Sequence, residues 1–180
     1  SIGLVGSEMC IRDRVLQGLI CLSKLRWPAG LTGKELDPLA RYFLWEHSLD
    51  YDHGTGHGVG VFSNVHQGPQ GISRLNTVPL NPGMILSVEP GVYLEGKLGI
   101  RLENLVYVKM KSGYSGQKKE FLEFETLTLV PFEKKLIEKK LLSRDELHWL
   151  NSYHHNVYKK LSPFLNVSEK TWLRDACKIL

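Results

Sequence analysis

The sequence predicts an α+β fold, on three observations. Two segments near the start carry apolar residues at helical spacing, the stretch from 84 to 130 alternates apolar and polar residues at strand spacing, and helical character returns after Pro131. A length of 180 residues suffices for one domain with a real core, or one domain with an appendage. Hydrophobic residues make up 42% and charged residues 23%, ordinary values that set aside disordered and collagen-like classes. No stretch approaches the roughly 18 uninterrupted apolar residues of a membrane helix.

The chain does not begin with Met, and residues 1–13 lack the charged-then-apolar layout of a signal peptide. They resemble a translated sequencing adapter and are expected to be a non-native leader outside the fold; on a native reading they form a short strand and turn. Residues 15–27 then read as a helix through Leu16, Ile20, Leu22 and Leu25, stopped by Pro28 and Gly30. Thr32 followed by Glu35 is a capping box opening a second helix, with Leu36, Leu39, Phe43 and Leu44 on one side. Asp37 and Pro38 offer an alternative start one turn later. The glycine-rich stretch 50–73 excludes a helix. Strands are expected over 84–88, 105–110 and 121–130, with Leu122, Phe124 and Val130 alternating against Glu123 and Glu125. Asn81, Pro82 and Gly83, and then Glu95, Gly96 and Lys97, mark turns between them. Beyond Pro131, Ser143 with Glu146 forms another capping box, Leu147, Leu150, Val157 and Leu161 make a docking stripe, and Ser168 opens a last short helix.

Charge and cysteine usage exclude several functions. The net charge of +4 comes wholly from residues 131–180, with ten Lys and Arg against six Asp and Glu. The lysines fall in pairs diluted by acids, which reads as a solvated helix face and not a nucleic-acid patch. Cys10, Cys21 and Cys177 are odd in number and far apart, giving neither a disulfide framework nor a metal pattern; they fit a reducing cytoplasm.

The densest chemical signal is Asp52-His53-Gly54-Thr55-Gly56-His57-Gly58-Val59-Gly60. His53 and His57 are four apart, as in the helical HExxH zinc motif. Glycine at every second position suits extended backbone pressed against a neighbour, not a helix. On extended backbone residues 53 and 57 still share a face. A phosphate cradle is a poor alternative, because the glycines do not match GxGxxG and no helix start follows. His66 makes a third imidazole nearby. Glu89 follows an apolar run and Glu103 precedes another, and a carboxylate among buried strand residues requires a partner or a cation. Arg101, two residues before Glu103, could pair with it as a purely structural ion pair.

Taken together, DYDHGTGHGVGVFSNVHQGP, SVEPGVY and GIRLEN resemble the pita-bread dinuclear metallopeptidases, specifically the X-Pro aminopeptidase (aminopeptidase P) branch. The resemblance runs from about residue 14 to 180. It implies that residues 14–130 form the C-terminal half of a pita-bread domain and residues 131–180 its helical extension. It further implies that His57 and Glu89 bind one metal ion while Glu103 bridges two. His53 and His66 would line the pocket and move protons, Glu89 would accept a proton, and Arg101 would hold a carboxylate facing the metal. The implied cofactors are two divalent cations, Mn or Zn by ligand type. The implied reaction releases the N-terminal residue of a peptide with proline second, by a metal-bridging hydroxide, in a cytoplasmic whole protein that could form a homodimer; no membrane and no nucleic acid would be partners. Two departures stand out. Gln67 occupies a position where the family carries Glu, and the family's two aspartate ligands have no match before Asp50. The chain is therefore expected to be a fragment inactive alone. The alternative reading is a non-catalytic pita-bread module binding peptides or proteins.

Overall fold

The computed structural model describes residues 6–62, 64–111 and 119–180. It divides into two compact units, Arg14–Thr128 and, separately, Leu129–Leu180 taken with Ser1–Asp13. Helical structure returns after Pro131, as expected, with the 3₁₀ turn Lys134–Leu136.

Helix α1 spans Gly6–Ser23. The sequence reading began it at residue 15 and excluded residues 1–13. Residues 1–5 lie outside the described residues, but from Gly6 onward the excluded segment is helical. Arg12 and Asp13 are buried: Arg12 donates to the Leu136 carbonyl at 3.1 Å, and Asp13 accepts the Glu138 N–H at 2.8 Å. Those partners lie more than 120 residues away, so local spacing could not reveal them. The helix also ends earlier than expected. Trp27 belongs to strand β1, Arg26–Pro28, and pairs with Leu122.

In the first unit, α2 spans Gly33–Trp45 behind the expected Thr32–Glu35 capping box, with Pro38 inside the helix instead of at its start. The strands β4 (Ile85–Val88), β7 (Asn104–Lys111) and β8 (Phe121–Thr126) correspond to the three expected ones. Val130, expected at the end of β8, lies outside the sheet and is 64% exposed. The order β1-β8-β7-β4 is antiparallel throughout, with Ile85 opposite Tyr107 and Val108 opposite Phe124. Leu86, Val88, Val106, Val108, Leu122 and Phe124 are buried, with Trp27 and Phe124 ring to ring at 4.5 Å. Burial of each such side chain contributes about 1.5–3 kcal/mol. Two small ribbons complete the unit: β2 (Gly56–His57) with β3 (Gly71–Ile72), and β5 (Gly91–Leu94) with β6 (Leu98–Arg101) around the expected turn at Gly96, whose φ is +67°.

In the second unit, residues 131–142 make two single 3₁₀ turns, capped by the side chains of Glu133 and Glu138. Two of the lysine pairs sit there and not on α-helix; Lys159 and Lys160 occupy the last turn of α3, where positive charge complements the helix dipole. Helix α3, Arg144–Leu161, starts at the Ser143–Glu146 capping box. Helix α4, Val167–Ala176, is capped by Asn166, two residues before the expected Ser168. Tyr153, Val157 and Leu173 form the buried cluster, with Phe132, Trp149 and Leu161 packed against it.

Candidate metal centre

The site lies entirely within the first unit. Its glycines explain the backbone path: a Cβ on Gly56 would come within 1.9 Å of the Ser87 carbonyl, and one on Gly58 within 2.0 Å of the Gln67 carbonyl. Only glycine lets this strand lie flat on β4 and on the returning chain. The alternating pattern therefore marks close approach of extended backbone, as the sequence implied. Ribbon β2 continues onto β4 through a bridge between Gly58 and Leu86.

This packing brings His57 and Glu89 together, with Nε2 to Oε1 at 3.3 Å. The His57 Nδ1 lies 2.9 Å from the Gly58 carbonyl, which can only accept, so Nδ1 carries the proton. In the neutral ring, Nε2 then turns its lone pair toward a carboxylate oxygen. Two acceptors at that distance repel unless a proton or a metal cation lies between them. The separation suits a shared ion at about 2.0–2.2 Å from each atom. Nδ1 bonded to a carbonyl is also the arrangement that orients metal-binding histidines. The pair is further locked through Ser87: the His57 N–H donates to Ser87 Oγ at 2.9 Å, and that hydroxyl donates to Glu89 Oε1 at 3.1 Å. Glu89 is 7% exposed, and its own N–H donates to the Thr55 carbonyl at 2.7 Å.

Arg101 reaches the other oxygen, Glu89 Oε2, at 3.3 Å. The structural pairing of Arg101 with Glu103 considered from sequence is thus replaced by an ion pair with Glu89. Burial alone would lower the Arg101 pKa, but the Tyr93 hydrogen bond and the fields of Tyr93, Glu89 and Glu103 raise it above the ordinary value. Glu103 is exposed and acts on Arg101 through its field. Among the described residues, no three His, Cys, Asp or Glu side chains gather closely enough to hold an ion together. The chain assembles a two-residue mixed nitrogen and oxygen pair, with Glu103 apart from it.

His53 and His66 flank the pair differently. The His66 ring lies 4.1 Å from that of His57, and is exposed. His53 Nδ1 lies 2.7 Å from the Gly54 carbonyl, and its Nε2 lies 3.0 Å from Tyr93 Oη. Arg101 Nε donates to the same phenol oxygen at 2.9 Å. The donors therefore run one way, from Arg101 to Tyr93 to His53 to the Gly54 carbonyl. Tyr93 escaped the sequence reading because 40 residues separate it from His53; the SVEPGVY stretch contained it, without any sign of its partner. Asp50 and Asp52, next to the histidines, supply no ligand to this pair: Asp50 is bound by Arg41 and Arg74. The side-chain oxygen of Gln67 lies over Gly60.

Comparisons with known proteins show the family. Residues 4–110 match the family described as "Metallopeptidase family M24", and residues 120–180 match "C-terminal region of peptidase_M24". A "Probable Xaa-Pro aminopeptidase P" of Botryotinia fuckeliana is 49% identical over 165 residues, covering 88% of this chain and 25% of that relative. The protein of that description from Sclerotinia sclerotiorum is 48% identical, over 88% of this chain and 28% of its own length. The chain thus spans about a quarter of the curated relatives it matches. Among solved structures, the X-prolyl aminopeptidase from Caenorhabditis elegans, described as a cytosolic enzyme with a di-nuclear active site, superimposes with a TM-score of 0.91 at 38% identity, over 99% of this chain and 30% of that one. The Xaa-Pro dipeptidase from Bacillus anthracis gives 0.59 at 31%, over 74% and 34%. The pita-bread fold expected from the sequence is the fold of these neighbours. The chain belongs to metallopeptidase family M24.

Proposed function

We propose that this chain supplies part of the active site of a metal-dependent aminopeptidase that releases the N-terminal residue from peptides with proline second. The observation carrying this reading is the His57–Glu89 pair, whose Nε2 and Oε1 face each other at a separation that suits a shared cation. His57 Nε2 and Glu89 would hold one divalent ion. Glu103, whose field acts on Arg101, is the third residue we assign to the metal site, where it would contribute a carboxylate to a second divalent ion. When bound, two such cations would generate a nucleophile from water at neutral pH and polarise the scissile carbonyl. Mn and Zn both suit this donor set.

The chain's own groups would do the remaining work. Glu89 accepts a proton, with Arg101 and Ser87 fixing its two oxygens. His53 receives or returns a proton at Nε2 through the Tyr93 phenol, which Arg101 holds in place. His66, open to solvent beside His57, contacts the peptide. We assign the whole protein to the cytoplasm and expect a homodimer. Among the described residues no helix is long and apolar enough to cross a membrane. The 180-residue chain alone, with three of the implied ligands, should show little hydrolysis.

The test uses the full-length protein, stripped of metal and reloaded with Mn²⁺. Hydrolysis of an Xaa-Pro peptide that exceeds that of the matching Xaa-Ala peptide, and that is lost with a chelator, is expected. Peptide binding with neither metal uptake nor hydrolysis would establish the non-catalytic module instead.

A further inference from the structure

The first unit contains a buried ionic network that the site description above does not use. Asp37 and Arg41, one turn apart on α2, are 0% and 2% exposed and join at 2.7 Å. Arg41 turns three further N–H donors to the segment carrying the histidines. It donates to Asp50 Oδ1 at 2.7 Å, to the Tyr51 carbonyl at 2.6 Å and to the His53 carbonyl at 2.8 Å. Its guanidinium also lies 3.9 Å from the centre of the Tyr51 ring. From the other carboxylate oxygen, Asp37 accepts the Thr55 hydroxyl at 2.6 Å, and Thr55 in turn receives the buried Tyr51 hydroxyl at 2.5 Å. Residues 50–55 are thus wrapped around one guanidinium and one carboxylate.

Two of these bonds lead into the metal centre. The Arg41 bond fixes the His53 peptide, next to the Gly54 carbonyl that sets the ring's tautomer. The Thr55 side chain is anchored to Asp37 while its carbonyl accepts the Glu89 N–H at 2.7 Å. We propose that Asp37, Arg41 and Thr55 are positioning residues that hold His53 and Glu89 in register with each other from beneath; this rests on the metallopeptidase reading. A buried ion pair is a poor device for stability alone, since apolar replacements of similar volume commonly match it. Its value here is direction: a planar five-donor group fixes several oxygens of one loop at once, which an apolar contact cannot do.

The experiment compares full-length wild type with Thr55→Val, Thr55→Ser and Arg41→Lys, reading Mn²⁺ affinity of the metal-free protein by calorimetry and kcat and KM with Mn²⁺ loaded. Thr55→Val should weaken Mn²⁺ binding and lower kcat, each at least tenfold, with KM within threefold, and Thr55→Ser should restore both. Arg41→Lys keeps the charge beside Asp37 but cannot reach all three loop oxygens. It should lower kcat at least tenfold, and it decides the matter if Thr55→Val does not fold. Thr55→Val with wild-type affinity and kcat, Thr55→Ser as impaired as Thr55→Val, or Arg41→Lys with wild-type kcat would each overturn the proposal. Failure of the wild-type protein to take up Mn²⁺ would overturn the metallopeptidase reading with it, whereas uptake by wild type alongside indifferent variants would overturn this inference alone.

Discussion

The segment 50–57 and the C-terminal unit hold their shapes by opposite means. The first is tied by charge and hydrogen bonds: Arg41, Asp37 and Thr55 are buried and account for the path of the histidine-bearing loop almost bond by bond. In the second, α3 and α4 pack through an apolar cluster of Tyr153, Val157 and Leu173, and each begins at a capping box. Apolar packing is non-directional and scales with area, so it stabilises without specifying the aim of a particular atom. Hydrogen bonds to a rigid guanidinium contribute less net stability but set direction. The difference shows which part of the chain is built for geometry and which for cohesion.

Substitutions should separate the two. Glu89→Ala removes the carboxylate that faces His57 and anchors Arg101. In the full-length protein it should lower kcat/KM by about a thousandfold or more, roughly 4 kcal/mol of transition-state stabilisation, as steady-state kinetics would record. Leu173→Ala cuts into the apolar cluster, where Leu173 is 2% exposed. It should destabilise α3 and α4 by about 2–4 kcal/mol, seen as faster amide exchange in both helices of the full-length protein. Equal exchange in wild type and variant would show that the cluster does not hold this unit.

The third effect is pH-dependent. His154 is fully buried, its Nε2 accepts the Phe132 N–H at 3.0 Å, and burial, with a smaller push from Lys134, lowers its pKa from 6.5 to about 4. The neutral ring is the folded form, while the unfolded chain takes up a proton below about pH 6.5. The contribution is therefore complete above pH 6.5 and declines as pH falls toward 4, by up to about 1.4 kcal/mol per pH unit. The opening free energy of the α3 amides, taken from exchange after division by the intrinsic rate at each pH, should fall over that window in wild type and change little in His154→Gln. The smallest effect is Ser143→Ala, which removes the α3 cap. It should cost about 1 kcal/mol, read as fraying of the first turn of α3 with kinetic constants unchanged.

What the sequence disclosed follows from how far each interaction reaches along the chain. The Thr32–Glu35 and Ser143–Glu146 boxes, four residues each, were readable because they are local. The glycines at 56 and 58 were readable as close backbone contact, though not what they approach, because Ser87 and Gln67 are brought there by sheet pairing. Trp27 was placed in a helix because its strand partner, Leu122, lies far downstream. His57 and Glu89 were singled out separately in the sequence and joined to one metal ion only through resemblance; their convergence became visible when β2 lay on β4. Tyr93 was visible only as part of the SVEPGVY stretch, Asp37 only as a possible helix start and Arg41 not at all, because their partners come together only in the fold.

The most direct measurement is calorimetric titration of metal-free full-length protein with Mn²⁺, comparing wild type with His57→Ala. Two ions per active site in wild type, with loss of at least one ion or a hundredfold weaker binding in His57→Ala, is the expected result. Unchanged stoichiometry and affinity in His57→Ala would contradict a shared cation between His57 and Glu89.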